Sequence, residues 1–366
     1  HMKSPSLVSL YSGCGGSAYG FKLAKFDIKY VNDNNPDAVK SLKKNFPKAI
    51  PDPANVRNEE KIIKFWERIE EIDVIEGGFP CQGFSLAGPR QIDDPRNDLY
   101  NFLKKAIDKG NPKFFVAENV KGFVSIGEKG NFQTYDDKGN VNLGKVAKGI
   151  VSDLENAGRG YKVYYDILNA KDYGLPQDRK RIIIVGVRKN LGFEFKFPRK
   201  THGPELIPYV SMKDYGVEGI TGDESETFME TKGKRKDYFG SRYMSRNRIK
   251  SWDEVSFTIP ADAGQVPADP DSEKMWNKNI TDEQIKKVKD SEWAEFRKVH
   301  EKDINEELIR LSWRRCAAIQ GFPPDYEFYG DIKSKYRQIG NAVPPPLMEK
   351  IADCIMQYFK GKKKSF

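Results

Sequence analysis

One cysteine of the chain directly follows a proline, which places Cys81 in a setting suited to nucleophilic chemistry. Residues 73–89 read Asp-Val-Ile-Glu-Gly-Gly-Phe-Pro-Cys-Gln-Gly-Phe-Ser-Leu-Ala-Gly-Pro. The apolar start of this stretch predicts a short buried strand, and open α/β sheets place their chemistry just past the carboxyl ends of parallel strands. Pro80 restricts its own φ angle and so holds Cys81 on a stiff backbone. Free cysteines also serve as small buried residues, so the catalytic and the structural interpretation both stay open at this point.

A second candidate position follows another apolar run. Residues 112–117 predict a buried strand that ends at Glu118 and Asn119. We expect these two polar side chains to point into a cleft, with a solvated strand end as the alternative.

A glycine-rich turn near the start of the chain predicts a nucleotide-like ligand. The β-prone run 6–10 leads into Tyr-Ser-Gly-Cys-Gly-Gly at 11–16 and then into a helical pattern. Such a turn lets the backbone approach a ligand closely, although its spacing is not G-x-G-x-x-G. Asp33 follows the next predicted strand, where it could hold ribose hydroxyls or cap the helix predicted at 36–46, with Pro36 in its first turn.

The alternation of strands and helices up to about residue 188 predicts an α/β fold with a doubly wound, mostly parallel sheet. Beyond that point we expect an edge strand at 193–198, a helix-like insertion at 276–308, and helices at 311–322 and 347–359. The segment 231–250 is basic with interleaved aromatic residues. That composition suits contacts with phosphates and bases, although basic runs are also common on solvated surfaces.

The net charge and the numbers of cysteine and histidine residues indicate which partners and sites to expect. The 366 residues carry a net charge of +9, with an isoelectric point near 9.0, which favours a polyanionic partner such as nucleic acid. Four widely spaced cysteines and three histidines do not favour a zinc site, and we interpret the cysteines as reduced and intracellular. Neither a membrane-spanning run nor a signal peptide is apparent, and residues 1–2 are interpreted as a cloning remnant.

Five sequence blocks together carry a family resemblance. They are Ser-Gly-Cys-Gly-Gly at 12–16, Gly-Gly-Phe-Pro-Cys-Gln-Gly-Phe-Ser at 77–85, Glu-Asn-Val at 118–120, Gln-Asp-Arg-Lys-Arg at 177–181 and Gln-Ile-Gly-Asn-Ala-Val-Pro at 338–344. The chain resembles, over nearly its whole length, the DNA (cytosine-5) methyltransferases of bacterial restriction-modification type. The resemblance implies a Rossmann-like catalytic domain over 4–190 plus 336–362. It also implies an irregular target-recognition domain over 191–335, with an insertion at about 272–306.

The resemblance also implies a mechanism. Cys81 would add to carbon 6 of a flipped-out cytosine, Glu118 would hold or protonate nitrogen 3, and Arg181, with Arg179 close by, would stabilise the adduct. Carbon 5 would then take a methyl group from S-adenosylmethionine, leaving S-adenosylhomocysteine, with no metal involved. The cofactor would be bound by Tyr11, Ser12, Gly13, Gly15, Gly16, Asp33, Asn34, Asn55, Pro80, Leu99, Asn341 and Ala342.

Double-stranded DNA is the partner that the resemblance implies. DNA contacts are expected from Gln82, Ser85 and Arg96 in a loop that would close over the base, and from Arg235, Lys236, Arg242 and Arg246 in the basic segment. We expect a cytoplasmic monomer, with a cognate restriction endonuclease acting separately. An RNA cytosine methyltransferase and a catalytically silent DNA-binding relative are the alternatives. A nicotinamide dehydrogenase fits less well, because its glycine spacing is missing.

The chain departs from the family pattern at two places. Where the family usually has an Asp-Ile pair against the adenine, the candidates are Asn55 with Val56, or Asp52. Arg315 stands where the family usually has glutamate, so we expect a charge pair near the domain junction to be lost.

Overall fold

The computed structural model describes residues 3–52, 72–79, 98–221, 228–229, 249–274, 276–305 and 308–361. Within these ranges, seven strands form one sheet in the order β3-β2-β1-β4-β5-β7-β6. They are β1 (Ser6–Leu10), β2 (Asp27–Asn32), β3 (Ile50–Asp52), β4 (Val74–Gly78), β5 (Phe114–Val120), β6 (Tyr161–Asn169) and β7 (Lys180–Arg188). β7 runs antiparallel to both of its neighbours, while the other neighbouring strands are parallel. The predicted α/β fold with a mostly parallel sheet is confirmed.

The helices alternate with the strands in the first half of the chain. They are α1 (Gly16–Leu23), α2 (Pro36–Asn45), α3 (Asp98–Gly110), α4 (Lys145–Glu155), α5 (Asp282–Lys287), α6 (Trp293–Val299), α7 (Trp313–Ile319), α8 (Ile332–Asn341) and α9 (Pro345–Gly361). Pro36 stands in the first turn of α2 as predicted, but the N-cap is Asn35, whose side chain accepts the amides of Asp37 and Ala38. The alternative that made Asp33 this cap is therefore wrong.

The two faces of the central strands pack against different helices. Phe115 belongs to a buried cluster shared with α3 and α4, whereas Phe114 makes ring contacts with Tyr358 of α9 at 5.3 Å. α1 packs against α9. Because alternate residues of a strand point to opposite faces, Glu76 and Gly78 of β4 lie on the same face as Phe114. The polar side chain that β4 carries, Glu76, therefore faces the side of the sheet on which α1 packs.

The chain divides into two compact units. The first comprises His1–Asn169, Lys180–Lys200 and Ala342–Phe366, and the second comprises Ala170–Arg179 and Thr201–Asn341. The second contains a short antiparallel pair, β8 (Phe228–Met229) with β9 (Leu308–Ile309). The catalytic and target-recognition roles predicted for the two parts of the chain stay predictions.

Two local predictions from the sequence are wrong. Residues 193–198 form no strand, because the alternating Phe193 and Phe195 pack through ring contacts with Phe114 and Tyr164 instead of pairing through the backbone. The insertion is not one long helix. It contains the short helices α5 and α6 around a small buried cluster with Trp276 and Trp293.

The sequence predicts the loss of a charge pair at Arg315, and the structure shows that Arg315 forms a different one. Its guanidinium is ion-paired with the buried carboxylate of Asp269 and lies over the ring of Trp252, at 4.7 Å from the centroid. Further donors of Arg315 reach the carbonyls of Ile220 and Glu218 at 2.9 and 3.1 Å. Arginine in place of glutamate thus joins separate loops of the second unit.

None of the helices that the structure describes is long and apolar enough to cross a membrane.

Candidate active site

A mostly buried ion pair lies at the end of β5. Glu118 Oε1 is 2.9 Å from Nε of Arg181, and the two side chains are 17% and 14% exposed. In the antiparallel register of β5 and β7, Val120 lies opposite Arg181, so the pair is diagonal across the two strands. Arg181 also donates from Nη1 to the Lys180 carbonyl at 2.8 Å. The pair places a carboxylate and a guanidinium side by side where little water reaches them, and charge-assisted contacts of this kind are strong.

The neighbouring strand comes close to this carboxylate because its last residue is a glycine. Gly78 lies in register with Glu118, and a Cβ atom at Gly78 would stand 3.2 Å from Glu118 Oε2. A side chain there would push against the carboxylate, so glycine keeps the space beside it open. β4 ends at Gly78, and Cys81 follows three residues later in the sequence.

Asn119 does not accompany Glu118 into a cleft, which corrects the prediction made for the two together. Neighbouring residues of a strand face opposite sides, and Asn119 is buried. Its Nδ2 donates to the Phe79 carbonyl at 2.7 Å. The ring of Phe79 packs edge-on against Tyr100 and Phe123. Asn119 therefore anchors the last described residue before Pro80 and Cys81.

The glycine turn after β1 is held by the last residue of β2 and the residue that follows it. The Ser12 amide donates to the Asn32 carbonyl at 2.7 Å, and the Gly13 amide donates to Asp33 Oδ2 at 3.0 Å. Gly13 and Gly15 have φ angles of 55° and 96°, which side-chain-bearing residues rarely adopt. Helix α1 begins directly after Gly15, and no side chain caps it. The turn thus ends in a helix N-terminus open to a polar or anionic group.

The side chains of Asp33 and Asn32 accept hydrogen bonds from backbone amides of the turn and of the start of α2. Asp33 Oδ1 accepts the Asn35 amide at 2.9 Å, while Asn32 Oδ1 accepts the Tyr11 amide at 2.8 Å. Burial raises the pKa of Asp33, and hydrogen bonds from the backbone amides of Asn35 and Gly13 oppose this shift. The carboxylate is therefore fixed in place at the edge of the turn.

Tyr11 joins the turn to the start of α3. Its hydroxyl donates to the Leu99 carbonyl at 2.9 Å.

Among the other predicted cofactor residues, Asn34 follows Asp33 directly, and Gly16 is the first residue of α1. Asn341 ends α8 within the second unit, whereas Ala342 is buried within the first. Asp52 is the last residue of β3, in register with Asn32.

Arg179 has a different environment from Arg181. It is only 1% exposed, and its guanidinium donates to the Ile259 carbonyl at 3.0 Å and to the Gly340 carbonyl at 2.7 Å. Gln177 of the same block is also buried, with its amide bonded to Gln320 at 2.8 Å and to the Ile259 amide at 3.0 Å. A guanidinium enclosed by backbone carbonyls holds chain segments together, whereas the guanidinium of Arg181 lies against the carboxylate of Glu118.

Ten of the predicted site residues lie outside the described residues, and their roles stay predictions. They are Asn55, Pro80, Cys81, Gln82, Ser85, Arg96, Arg235, Lys236, Arg242 and Arg246. Within the described ranges, no group of three or more histidine, cysteine, aspartate and glutamate side chains is arranged to hold a metal ion.

The cysteines that the structure does describe are poorly suited to nucleophilic attack. Burial raises the pKa of Cys14 to about 12, and burial likewise raises the pKa of Cys316 and of Cys354. Because only the thiolate is a good nucleophile, these three thiols are poor candidates for the nucleophile that the sequence predicts at Cys81.

Sequence reasoning missed two polar residues that support the site. Asn32 holds Tyr11, and Glu76 is a buried carboxyl in the middle of β4. The available signal for Glu76 was a charged residue inside an otherwise apolar strand, a position where ionised groups are costly.

Comparison with known proteins assigns the chain to a family. Residues 6–357 match the family model of the C-5 cytosine-specific DNA methylases. The type II methyltransferase M.BsuRI of Bacillus subtilis is 35% identical over 96% of this chain and 79% of its own length. The type II methyltransferase M.MthTI of Methanothermobacter thermautotrophicus is 35% identical over 97% of this chain and 98% of its own.

A solved structure has a similar fold. A crystal structure of Spodoptera frugiperda DNMT2 aligns with a TM-score of 0.61 at 19% identity, covering 97% of this chain and all of that one. A match to the family model over nearly the whole chain, together with relatives at this identity, shows that the chain belongs to the C-5 cytosine-specific DNA methylases and is a DNA cytosine-5 methyltransferase.

Proposed function

We propose that this enzyme transfers a methyl group from S-adenosylmethionine to carbon 5 of a cytosine flipped out of duplex DNA, through a covalent bond between Cys81 and carbon 6. The observation that carries the proposal is the Glu118–Arg181 pair, which lies beside Gly78 at the end of the strand that leads to Cys81. A nucleophile, a proton donor and a fixed positive charge are the groups that addition to a pyrimidine ring requires.

The Cys81 thiolate forms a bond to carbon 6, the electron pair of the double bond between carbons 5 and 6 forms a double bond between carbons 4 and 5, and the pair between carbon 4 and nitrogen 3 moves onto nitrogen 3. Glu118, once it has taken up a proton, delivers that proton to nitrogen 3, and Arg181 donates hydrogen bonds to oxygen 2, so that negative charge does not accumulate on the base. The cofactor S-adenosylmethionine would supply the electrophilic methyl group that carbon 5 takes, leaving S-adenosylhomocysteine. Loss of the carbon 5 proton to a base, with return of the nitrogen 3 proton to Glu118, restores the double bond and releases Cys81 as a thiolate.

Several residues of the first unit have the chemical groups that are needed to bind S-adenosylmethionine. Asp33 and its neighbour Asn34 would accept ribose hydroxyls, and Tyr11 with Leu99 would border the adenine. The uncapped start of α1 would receive the carboxylate of the methionine part. The Ser17 hydroxyl in the first turn of α1 is buried and lies close to Glu76 of β4.

DNA contacts complete the proposal. Gln82, Ser85 and Arg96 would border the extruded base, and the basic segment at 231–250 would contact phosphates. The two relatives compared above are named type II methyltransferases. We extend the proposal to protection of DNA against a separate restriction endonuclease.

Substitution of the nucleophile tests the proposal. Cys81→Ser should abolish methyl transfer to duplex DNA, because a hydroxyl is a far poorer nucleophile than a thiolate near neutral pH. The wild-type enzyme should form a denaturation-resistant complex with DNA that carries 5-fluorocytosine at the target, since fluorine cannot leave as a proton does. Cys354→Ser is the matched control and should keep both properties. Bisulfite sequencing of DNA from expressing cells would identify the target. Ordinary turnover by Cys81→Ser would refute the mechanism.

A further inference from the structure

A buried carboxyl that the mechanism does not use lies in the middle of β4. Glu76 is only 4% exposed, and its strand lies between β1 and β5 inside the sheet. An ionised carboxylate is costly to bury in such a place. Burial accordingly raises the pKa of Glu76 to about 7, and the hydroxyls of Ser9 and Ser17 partly oppose this shift.

Glu76 is connected to the glycine turn by a chain of hydrogen bonds. The Ser9 hydroxyl bonds to Glu76 Oε1, and Ser9 Oγ lies 2.7 Å from Ser12 Oγ. Ser12 Oγ in turn accepts the Asn32 amide at 3.2 Å. The chain therefore runs from the interior of the sheet to the residues that hold Tyr11 and the turn.

The protonation state of Glu76 determines to which acceptor each of the hydroxyls of Ser9 and Ser12 donates its hydrogen bond. A carboxylate can only accept, so Ser9 must donate to it and Ser12 is left to donate towards Ser9. A neutral carboxyl can donate to Ser9, which frees the Ser9 proton for Ser12 and leaves Ser12 to donate to the Ser9 carbonyl, at 3.1 Å. The two states thus give the turn two different sets of hydrogen bonds.

Charged groups around Glu76 favour its neutral form. Glu118 of β5 is a like charge whose proximity also raises the pKa of Glu76, and Glu118 is itself paired with Arg181 of β7. Asp33 is a second carboxyl at the glycine turn, where it accepts the Gly13 amide at 3.0 Å. On the α1 side, an ionised Glu76 would compete for the helix N-terminus with any anionic ligand group there.

We propose that Glu76 is a positioning residue for the cofactor, and that its neutral carboxyl holds the glycine turn, through Ser9 and Ser12, in the form that binds S-adenosylmethionine. Cofactor affinity then falls as Glu76 loses its proton. The inference rests on the proposed use of this cofactor.

Binding of S-adenosylhomocysteine, measured by calorimetry between pH 5.5 and 8.5, tests the inference. The wild-type affinity should fall by about fivefold or more across neutral pH, as expected for two coupled equilibria. Glu76→Gln, which mimics the neutral acid, should bind with a nearly constant affinity. Ser9→Ala should weaken binding at low pH and flatten the profile, whereas Ser41→Ala, at another buried serine, should leave the profile unchanged.

Thermal unfolding of the protein without ligand provides a second readout. The folded state keeps the Glu76 proton up to about pH 7, whereas the unfolded chain releases it near pH 4.5. Wild-type stability relative to Glu76→Gln should therefore decline as pH rises across that window and level off above it. Asp166→Asn removes another carboxyl whose pKa burial raises, on the distant strand β6, and should keep the wild-type binding profile.

The outcomes separate this inference from the proposed function. If the wild type binds the ligand with no pH dependence, or if Glu76→Gln keeps the wild-type profile, the positioning role is refuted. Failure of the wild type to bind the ligand at any pH would instead refute the proposed cofactor.

Discussion

Replacement of Glu118 by glutamine separates proton delivery from placement of the base. The amide has the size of the carboxyl group and can still accept a hydrogen bond from Arg181 Nε, which lies 2.9 Å from Oε1. It can also occupy the space beside Gly78 that Oε2 now fills. What it cannot do is pass a proton to nitrogen 3 of the cytosine. Binding of DNA should therefore persist while the chemical step slows.

The expected loss in rate follows from the role assigned to Glu118. A positioned general acid is worth about 10²–10⁴-fold, which corresponds to about 3–5 kcal/mol of barrier. The stability cost should be smaller, at about 1 kcal/mol, because the hydrogen bond to the charged guanidinium remains and only the charge of the carboxylate is lost. Glu118→Ala should cost more in stability, since the mostly buried guanidinium of Arg181 would lose its carboxylate.

Single-turnover methylation with enzyme in excess over radiolabelled duplex DNA isolates the chemical step. DNA affinity and the unfolding midpoint are measured on the same preparations. Glu194→Gln is a suitable control, because it removes an exposed ion pair with Lys162 and should leave the rate unchanged. A Glu118→Gln variant with the wild-type single-turnover rate would refute the proton-delivery role and make the Glu118–Arg181 pair structural.

Two further predictions concern residues assigned to DNA and to the framework. Neutralising Arg235, Lys236 and Arg242 should weaken DNA binding and flatten its salt dependence by about 0.9 in slope per lost phosphate contact; an unchanged slope in affinity measurements would assign these residues to a solvated surface. Arg179→Met should lower the unfolding midpoint by several degrees, because it leaves the buried carbonyls of Ile259 and Gly340 without their donor, at about 1–3 kcal/mol each. An unchanged midpoint in calorimetric unfolding would contradict this framework role.

Much of the fold could be predicted from the sequence because strand and helix periodicity is local. The alternation of apolar runs with helical patterns was enough for a mostly parallel sheet, and Pro36 marked the start of a helix correctly. Local patterns do not reveal partners, however. The aromatic alternation at 193–198 resembles that of a strand, yet its rings found tertiary contacts and its backbone formed no ladder.

The sequence by itself determined the family, because its short blocks have a specific order and spacing that includes Cys81 and Glu118. Only the tertiary structure decided which polar side chains meet. Glu118 and Asn119 are adjacent in the sequence but face opposite sides of β5, so one pairs with Arg181 and the other holds the Phe79 carbonyl. The connection of Glu76 to the glycine turn likewise depends on the parallel register of β1 and β4. Register and burial are set by contacts between distant segments, and the spacing of residues along the chain does not contain that information.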